Sequence, residues 1–156
     1  MNNYLKQHIG YWLRRMSNEV YQSFEQRVAQ YDVTIASWCI LVSIYDGKAS
    51  SIHELSKYIE VDKASISRVV ERLVIKGLIL HKQGKDRRSG IIELTHSGQQ
   101  LVPKLILEAK KNELQFFSHL TEEEIKQLQQ IMHKIIVNIS TIKVDGWLLT
   151  NKLKDD

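Results

Sequence analysis

The chain has 156 residues, with 43% hydrophobic and 26% charged side chains, a net charge of +4, one cysteine and one proline. That length suits one well-buried domain and is short for two; the composition is that of a globular protein with disorder expected at most at the ends, and the single cysteine excludes an intrachain disulfide framework. The longest apolar run, Trp38 to Ile44, is too short to span a bilayer, and the N-terminus lacks a basic-then-apolar signal pattern, so a cytoplasmic protein with no membrane contact is expected.

Few breakers and helical spacing of apolar residues predict a mainly α fold. A first helix is predicted from about Tyr4 to about Gln30, with Ile9, Trp12, Leu13, Met16, Val20, Phe24 and Val28 on one stripe. Thr34 stands where a cap would for Ile35 to Tyr45, a nearly all-apolar helix ending at Asp46-Gly47 that must be central. Ser51 can cap a short helix carrying Ile52, Leu55 and Ile59, and Asp62 can cap the next, with a turn around Glu60 and Val61. This is helix-turn-helix spacing.

At about 100° per residue, Ile66, Val69, Val70 and Leu73 gather on one arc of that second helix, with Ala64, Ser65, Ser67, Arg68 and Arg72 on the other. Past Gly77, Leu78 to Lys82 and Ile91 to Thr95 read as strands joined by a polar, basic loop, Gln83 to Gly90. Thr95 or Ser97 can cap a long helix reaching about Leu120, in which Pro103 should kink or restart the hydrogen-bond ladder. Thr121 to Glu124 is a capping-box pattern, and Ile125, Leu128, Ile131, Met132, Ile135, Ile139 and Ile142 follow at close to coiled-coil spacing.

Charge is concentrated on one of these units. Lys63, Arg68, Arg72, Lys76, Lys82, Lys85, Arg87 and Arg88 face only Glu71 and Asp86 within residues 63–88, so that segment carries +6 and the remainder −2. A polyanion binder needs this arrangement, because each neutralised phosphate releases counterions. No phosphate loop, nucleophile elbow or two-histidine zinc face occurs, since the six histidines are never three or four apart. Neither catalysis, a metal nor a cofactor is expected.

The run Asp86 to Leu101, DRRSGIIELTHSGQQL, resembles the wing tip, second wing strand and L-T-x-x-G helix opening of the MarR family of winged-helix transcriptional regulators. Val61 to Ile79, VDKASISRVVERLVIKGLI, resembles that family's recognition helix and its turn into the wing, and the likeness extends roughly over Ile9 to Ile142. The resemblance implies a single domain over 1–156, with a winged-helix lobe at about 34–98 and dimerisation through about 1–30 and 100–156. It also implies a homodimer on a pseudo-palindromic double-stranded DNA operator, acting as a repressor released by a small aromatic or anionic effector. The isoleucine-rich last helix fits that dimer, although it could instead pack on the long helix starting near His96.

Roles follow by position. Arg88 matches the family's Asp-x-Arg wing-tip arginine, suited to a narrow minor groove, with Asp86 orienting it and Lys85 and Arg87 beside it. Ser65, Ser67 and Arg68 are candidates for base edges and phosphates, with Ala64 on the same face. Lys63 and Arg72 are placed for phosphates unless Arg72 pairs with an acid such as Glu71, and Ser51 can offer its hydroxyl and N–H to a phosphate. The resemblance implies an effector pocket lined by His8, Tyr11, Trp12, Arg15, Tyr31 and Trp38; singly, the tryptophans also suit a core and Arg15 a solvated surface. Cys39 should be desolvated and unreactive, and peroxide-sensing relatives carry a thiol near the start of the first helix that this chain lacks. The rival readings are a protein-interaction module and a redox-responsive regulator using Cys39.

Overall fold

The computed structural model describes residues 3–84 and 90–150, with side chains through residue 139. Its elements are α1 (Tyr4–Gln7), α2 (Ile9–Ala29), α3 (Ile35–Tyr45), α4 (Ile52–Ile59), α5 (Lys63–Ile75), β1 (Ile79–Lys82), β2 (Ile91–Leu94), α6 (His96–Phe117) and α7 (Glu122–Thr150). The mainly α composition with one antiparallel hairpin is the winged helix-turn-helix architecture expected from the sequence. The chain forms two compact units, Met1–Gln115 and Phe116–Asp156.

In the first unit the core is a continuous cluster drawn from every layer: Val28, Ile40, Leu41, Leu55, Ile66, Val70, Leu73, Ile79, Ile92, Val102 and Leu105 are each essentially inaccessible. Its centre is α3. That helix buries Ile40 and Leu41 together with Ser37 and Ser43, and the two serines bury at low cost because their hydroxyls are satisfied locally. The Ser43 Oγ donates to the Cys39 carbonyl at 2.6 Å, and the Thr34 hydroxyl, which caps the helix through the Ser37 N–H, also donates to the Ser37 Oγ at 3.0 Å. Trp38 meets Phe24 of α2 edge to face at 4.9 Å between ring centroids.

One expectation about helix continuity is corrected. The helix predicted from Tyr4 breaks at His8, whose extended backbone (φ −81°, ψ 115°) separates α1 from α2. The Trp12 indole N–H donates 2.8 Å to the Lys6 carbonyl, which satisfies one of the acceptors that a helix end leaves open. Pro103, expected to kink or restart the ladder, lies inside α6, which runs on past it without a restart. Proline costs the Gln99 carbonyl its donor, but Val102 and Leu105 are fully buried on either side, and their burial outweighs one lost bond.

The hairpin pairs Ile79 with Leu94 and Lys82 with Ile91. Its core-facing residues are Ile79 and Ile92, and the Ile92 N–H also donates 2.7 Å to the Ser50 carbonyl, stitching the start of α4 to the wing. Thr95 joins wing to α6: its N–H donates to the Leu78 carbonyl, its hydroxyl donates to the Gly77 carbonyl at 2.7 Å, and the same oxygen caps α6 through the Gly98 N–H. The expected alternative cap, Ser97, lies inside the helix.

A polar seam joins α2 to α6. Arg27 reaches Glu108 at 3.4 Å and Gln115 at 2.7 Å, while Asn112 donates to the Val20 carbonyl. Lys111 in first place, then Arg27, holds the buried Glu108 carboxyl below its ordinary range.

In the second unit, α7 opens on the expected capping box: the Thr121 N–H donates 2.8 Å to Glu124, and Glu124 returns its N–H to the Thr121 hydroxyl. Of the expected stripe, Ile131, Met132, Ile135 and Ile139 are between 38% and 58% exposed, and Ile125 and Leu128 are half-buried. The Ile142 side chain lies outside those described.

Candidate nucleic-acid interface

The α4–α5 pair carries the sharpest geometry. Ser51 caps α4 by accepting the Glu54 N–H at 3.2 Å, and Glu60, in a left-handed conformation (φ 60°), turns the chain between the helices. The Ser56 hydroxyl donates 2.6 Å to the Val61 carbonyl, tying the end of α4 to the start of α5. In α5, Ile66, Val70 and Leu73 are buried, while Lys63, Ala64, Arg68 and Arg72 are exposed and Ser65 and Ser67 are partly so. This is the division that the 3.6-residue period dictates.

Asp62 does more than end the helix. One carboxylate oxygen accepts the Ser65 N–H at 2.8 Å and the other accepts the Ser65 hydroxyl at 2.7 Å, while Arg68 Nη2 donates to that same hydroxyl oxygen at 3.1 Å. The Ser65 hydroxyl is its largest influence, and these bonds hold the Asp62 carboxyl below its usual range. The relay Asp62–Ser65–Arg68 therefore pre-positions a guanidinium on the exposed face of α5. Sequence reading grouped Ser65 with the DNA contacts; its hydroxyl is engaged on both sides within the helix. Among the described residues neither Arg68 nor Arg72 pairs with Glu71, which leaves Arg72 for another partner.

Within the wing, Lys82 is 2.7 Å from Glu93 on the facing strand, so one of the eight cations of the basic segment is matched by an acid just beyond it. Lys85, Asp86, Arg87 and Arg88 lie outside the described residues. Lys76, at the end of α5, contacts Asp32 in the α2–α3 turn, a pairing 44 residues apart that sequence reasoning missed because no local spacing signals it.

The six residues grouped as an effector pocket fall into two places. His8, Tyr11, Trp12 and Arg15 stand at the start of α2, where Arg15 lies 5.9 Å from the Trp12 ring centre and Tyr11 packs edge-on to Trp12. Tyr31 lies beyond the other end of α2, and Trp38 packs on Phe24, twelve residues or roughly 18 Å of helix rise from Trp12. One protomer does not bring the two tryptophans together around Arg15. A cleft of about 870 Å³ lies elsewhere, between the α3–α4 turn, β2 and Gln99.

Cys39 is partly exposed, and desolvation raises its thiol pKa against a backbone hydrogen bond that lowers it. Among the described residues there is no cluster of three metal-ligating side chains, and no helix is long and apolar enough to cross a membrane.

A family model described as MarR family matches residues 31–89. An HTH-type transcriptional regulator of Bacillus cereus is 31% identical over 127 residues, covering 80% of this chain and 85% of that protein. The HTH-type transcriptional repressor IacR of Pseudomonas putida is 23% identical over 133 residues, which are 85% of this chain and 80% of its own. The solved structure of BpsR from Bordetella bronchiseptica, whose DNA binding is regulated by 6-hydroxynicotinic acid, is 26% identical with a TM-score of 0.74, covering 82% of this chain and 92% of that one.

Proposed function

Because this chain belongs to the MarR family of transcriptional regulators, we propose that two copies of it bind a pseudo-palindromic duplex operator as a repressor and release it on binding a small aromatic or anionic effector. The observation that carries the reading is the outward face of α5, where an Asp62–Ser65–Arg68 relay holds an arginine ready beside exposed Lys63, Ala64 and Arg72. A pre-oriented guanidinium loses less entropy on pairing with a guanine edge or a phosphate than a free one. Ser67 sits at the flank of that face for a base edge or phosphate, and Ser51, whose oxygen caps α4, stands at the start of that helix as a further candidate for a phosphate. In the sequence Lys85, Arg87 and Arg88 add three cations to the same segment, and by the family resemblance Arg88 would serve the minor groove with Asp86 as the acid that orients an arginine.

Dimerisation is supported from two sides. Ile9, Trp12, Leu13 and Met16 of α2 are 37% to 73% exposed, and so is the isoleucine stripe of α7. Apolar surface of this extent on one chain is what a twofold partner buries. An effector site shared across such a dimer would let His8, Tyr11, Trp12 and Arg15 of one copy approach Tyr31 and Trp38 of the other. Release then follows if the effector favours a geometry whose recognition helices no longer match half-sites about 34 to 36 Å apart, or a multiple.

The test is selection of binding sites from random duplex DNA, repeated with Arg68→Ala and Arg88→Ala. The wild-type protein should enrich a twofold-symmetric site, and each substitution should cost about 1 to 3 kcal/mol of discrimination. Failure to enrich any duplex, with tight capture of an acidic protein instead, would favour the interaction-module reading.

A further inference from the structure

Lys76 closes α5 as its C-cap, and its ammonium crosses to the turn between α2 and α3, donating to the Asp32 backbone carbonyl and lying 2.8 Å from the Asp32 Oδ2. Asp32 holds a left-handed backbone, φ 56°, a conformation that a non-glycine residue adopts at a cost. Through it one residue offers both its carbonyl and its carboxylate to one lysine. On its other side the turn that follows α5 is fastened to the start of α6 by the Thr95 hydroxyl on the Gly77 carbonyl and the Thr95 N–H on the Leu78 carbonyl. The C-terminal end of α5 is thus tied to the end of α2, while its Arg68-bearing N-terminal half is held to α4 by the Ser56–Val61 bond and to the core by Ile66.

We propose that Lys76 is a positioning residue for operator recognition: through Asp32 it couples the direction of α5 to the long helix α2, and so sets which half-site spacing a dimer accepts. This rests on the reading of the chain as a dimeric duplex binder. With 13 residues, α5 is about 20 Å long, so a tilt of the α4–α5 pair by about 10° about the C-terminal end of α5 moves the other end of α5 by roughly 3.4 Å, the rise of one base pair. The pair is solvent-accessible, 38% at the lysine and 90% at the aspartate, so it adds little to folding and its loss leaves the lobe intact. What it supplies is direction.

The rival role for Lys76 is an ordinary phosphate contact, and Asp32 separates the two. If Lys76 serves phosphates, removing Asp32 frees a cation and deletes an anion, and binding tightens equally on every site. If the pair sets direction, removing either partner relaxes the choice of spacing.

The experiment takes the full-length dimer and the site it selects, then measures binding to duplexes whose half-sites are moved apart or together by one base pair. The variants are Lys76→Met, Asp32→Gly, which tolerates the left-handed backbone, and Lys76→Arg, which keeps the bridge. Lys76→Met and Asp32→Gly should each reduce the discrimination against the shifted duplexes by about fivefold or more. Lys76→Arg should retain it, and the salt slope of Asp32→Gly should stay at the wild-type value. Unchanged discrimination in Lys76→Met and Asp32→Gly would overturn the proposal, as would a uniform loss in Lys76→Met with a salt slope about one ion shallower. A wild-type protein that selects no duplex would instead overturn the underlying reading.

Discussion

Gly98→Ala tests how the wing is mounted on α6. A Cβ built at Gly98 lies 2.1 Å from the Leu78 carbonyl oxygen and 3.2 Å from a Leu94 methyl. An ordinary C···O contact is about 3.3 Å, so carbonyl and helix must separate by roughly 1.2 Å. The obstacle is backbone, and that carbonyl already accepts the Thr95 N–H, so no side-chain rotation relieves it. Overpacking that side chains can absorb costs about 1 to 3 kcal/mol, and this case belongs at or above the upper figure. At a few degrees per kcal/mol for a domain of this size, the melting midpoint should fall by roughly 10 °C at fixed protein concentration. Gly47→Ala is the control: its φ is 66° and nothing lies within 4 Å of the added methyl, so only the left-handed penalty of about 1 to 2 kcal/mol applies. Thermal unfolding of both variants decides the matter. A Gly98→Ala loss no larger than that of Gly47→Ala would refute the close-approach argument.

Other predictions use the carboxylates and the thiol. Asp62→Ala should lower the thermal midpoint and weaken site-specific DNA binding, whereas Asp62→Asn, whose amide oxygen keeps the cap but whose NH2 cannot accept the Ser65 hydroxyl, should keep most of the midpoint and still bind its site more weakly; wild-type binding by Asp62→Asn would mean that the relay to Arg68 plays no part. Glu54, Asp62, Glu108 and Glu124 all have carboxyl pKa values lowered in the fold, so the unfolded chain binds more protons in acid. Their contribution is complete above the ordinary carboxylate range and is lost as pH falls through it, so urea midpoints should decline from about pH 5 downward; a flat profile to pH 3 would contradict this. Cys39, its thiol pKa raised by desolvation, should alkylate more slowly at neutral pH than a free thiol, and peroxide should leave DNA binding unchanged.

Whatever depends on neighbours within a turn or two was legible in the amino-acid order. Thr34, Ser51, Asp62 and Thr121 cap where short polar side chains precede apolar periods, and the buried and exposed arcs of α5 follow from 3.6 residues per turn. Basic residues gathered within 63–88 pointed to a candidate DNA-binding surface for the same reason, since charge density is a property of composition. Only the tertiary structure decided what long-range packing controls. It broke the first helix at His8, carried α6 through Pro103, engaged the Ser65 hydroxyl between Asp62 and Arg68, and kept Trp12 far along α2 from Trp38. The Lys76–Asp32 and Arg27–Glu108 bridges join positions 44 and 81 residues apart. No spacing rule relates such partners, because their meeting depends on how helices already formed are laid against one shared core.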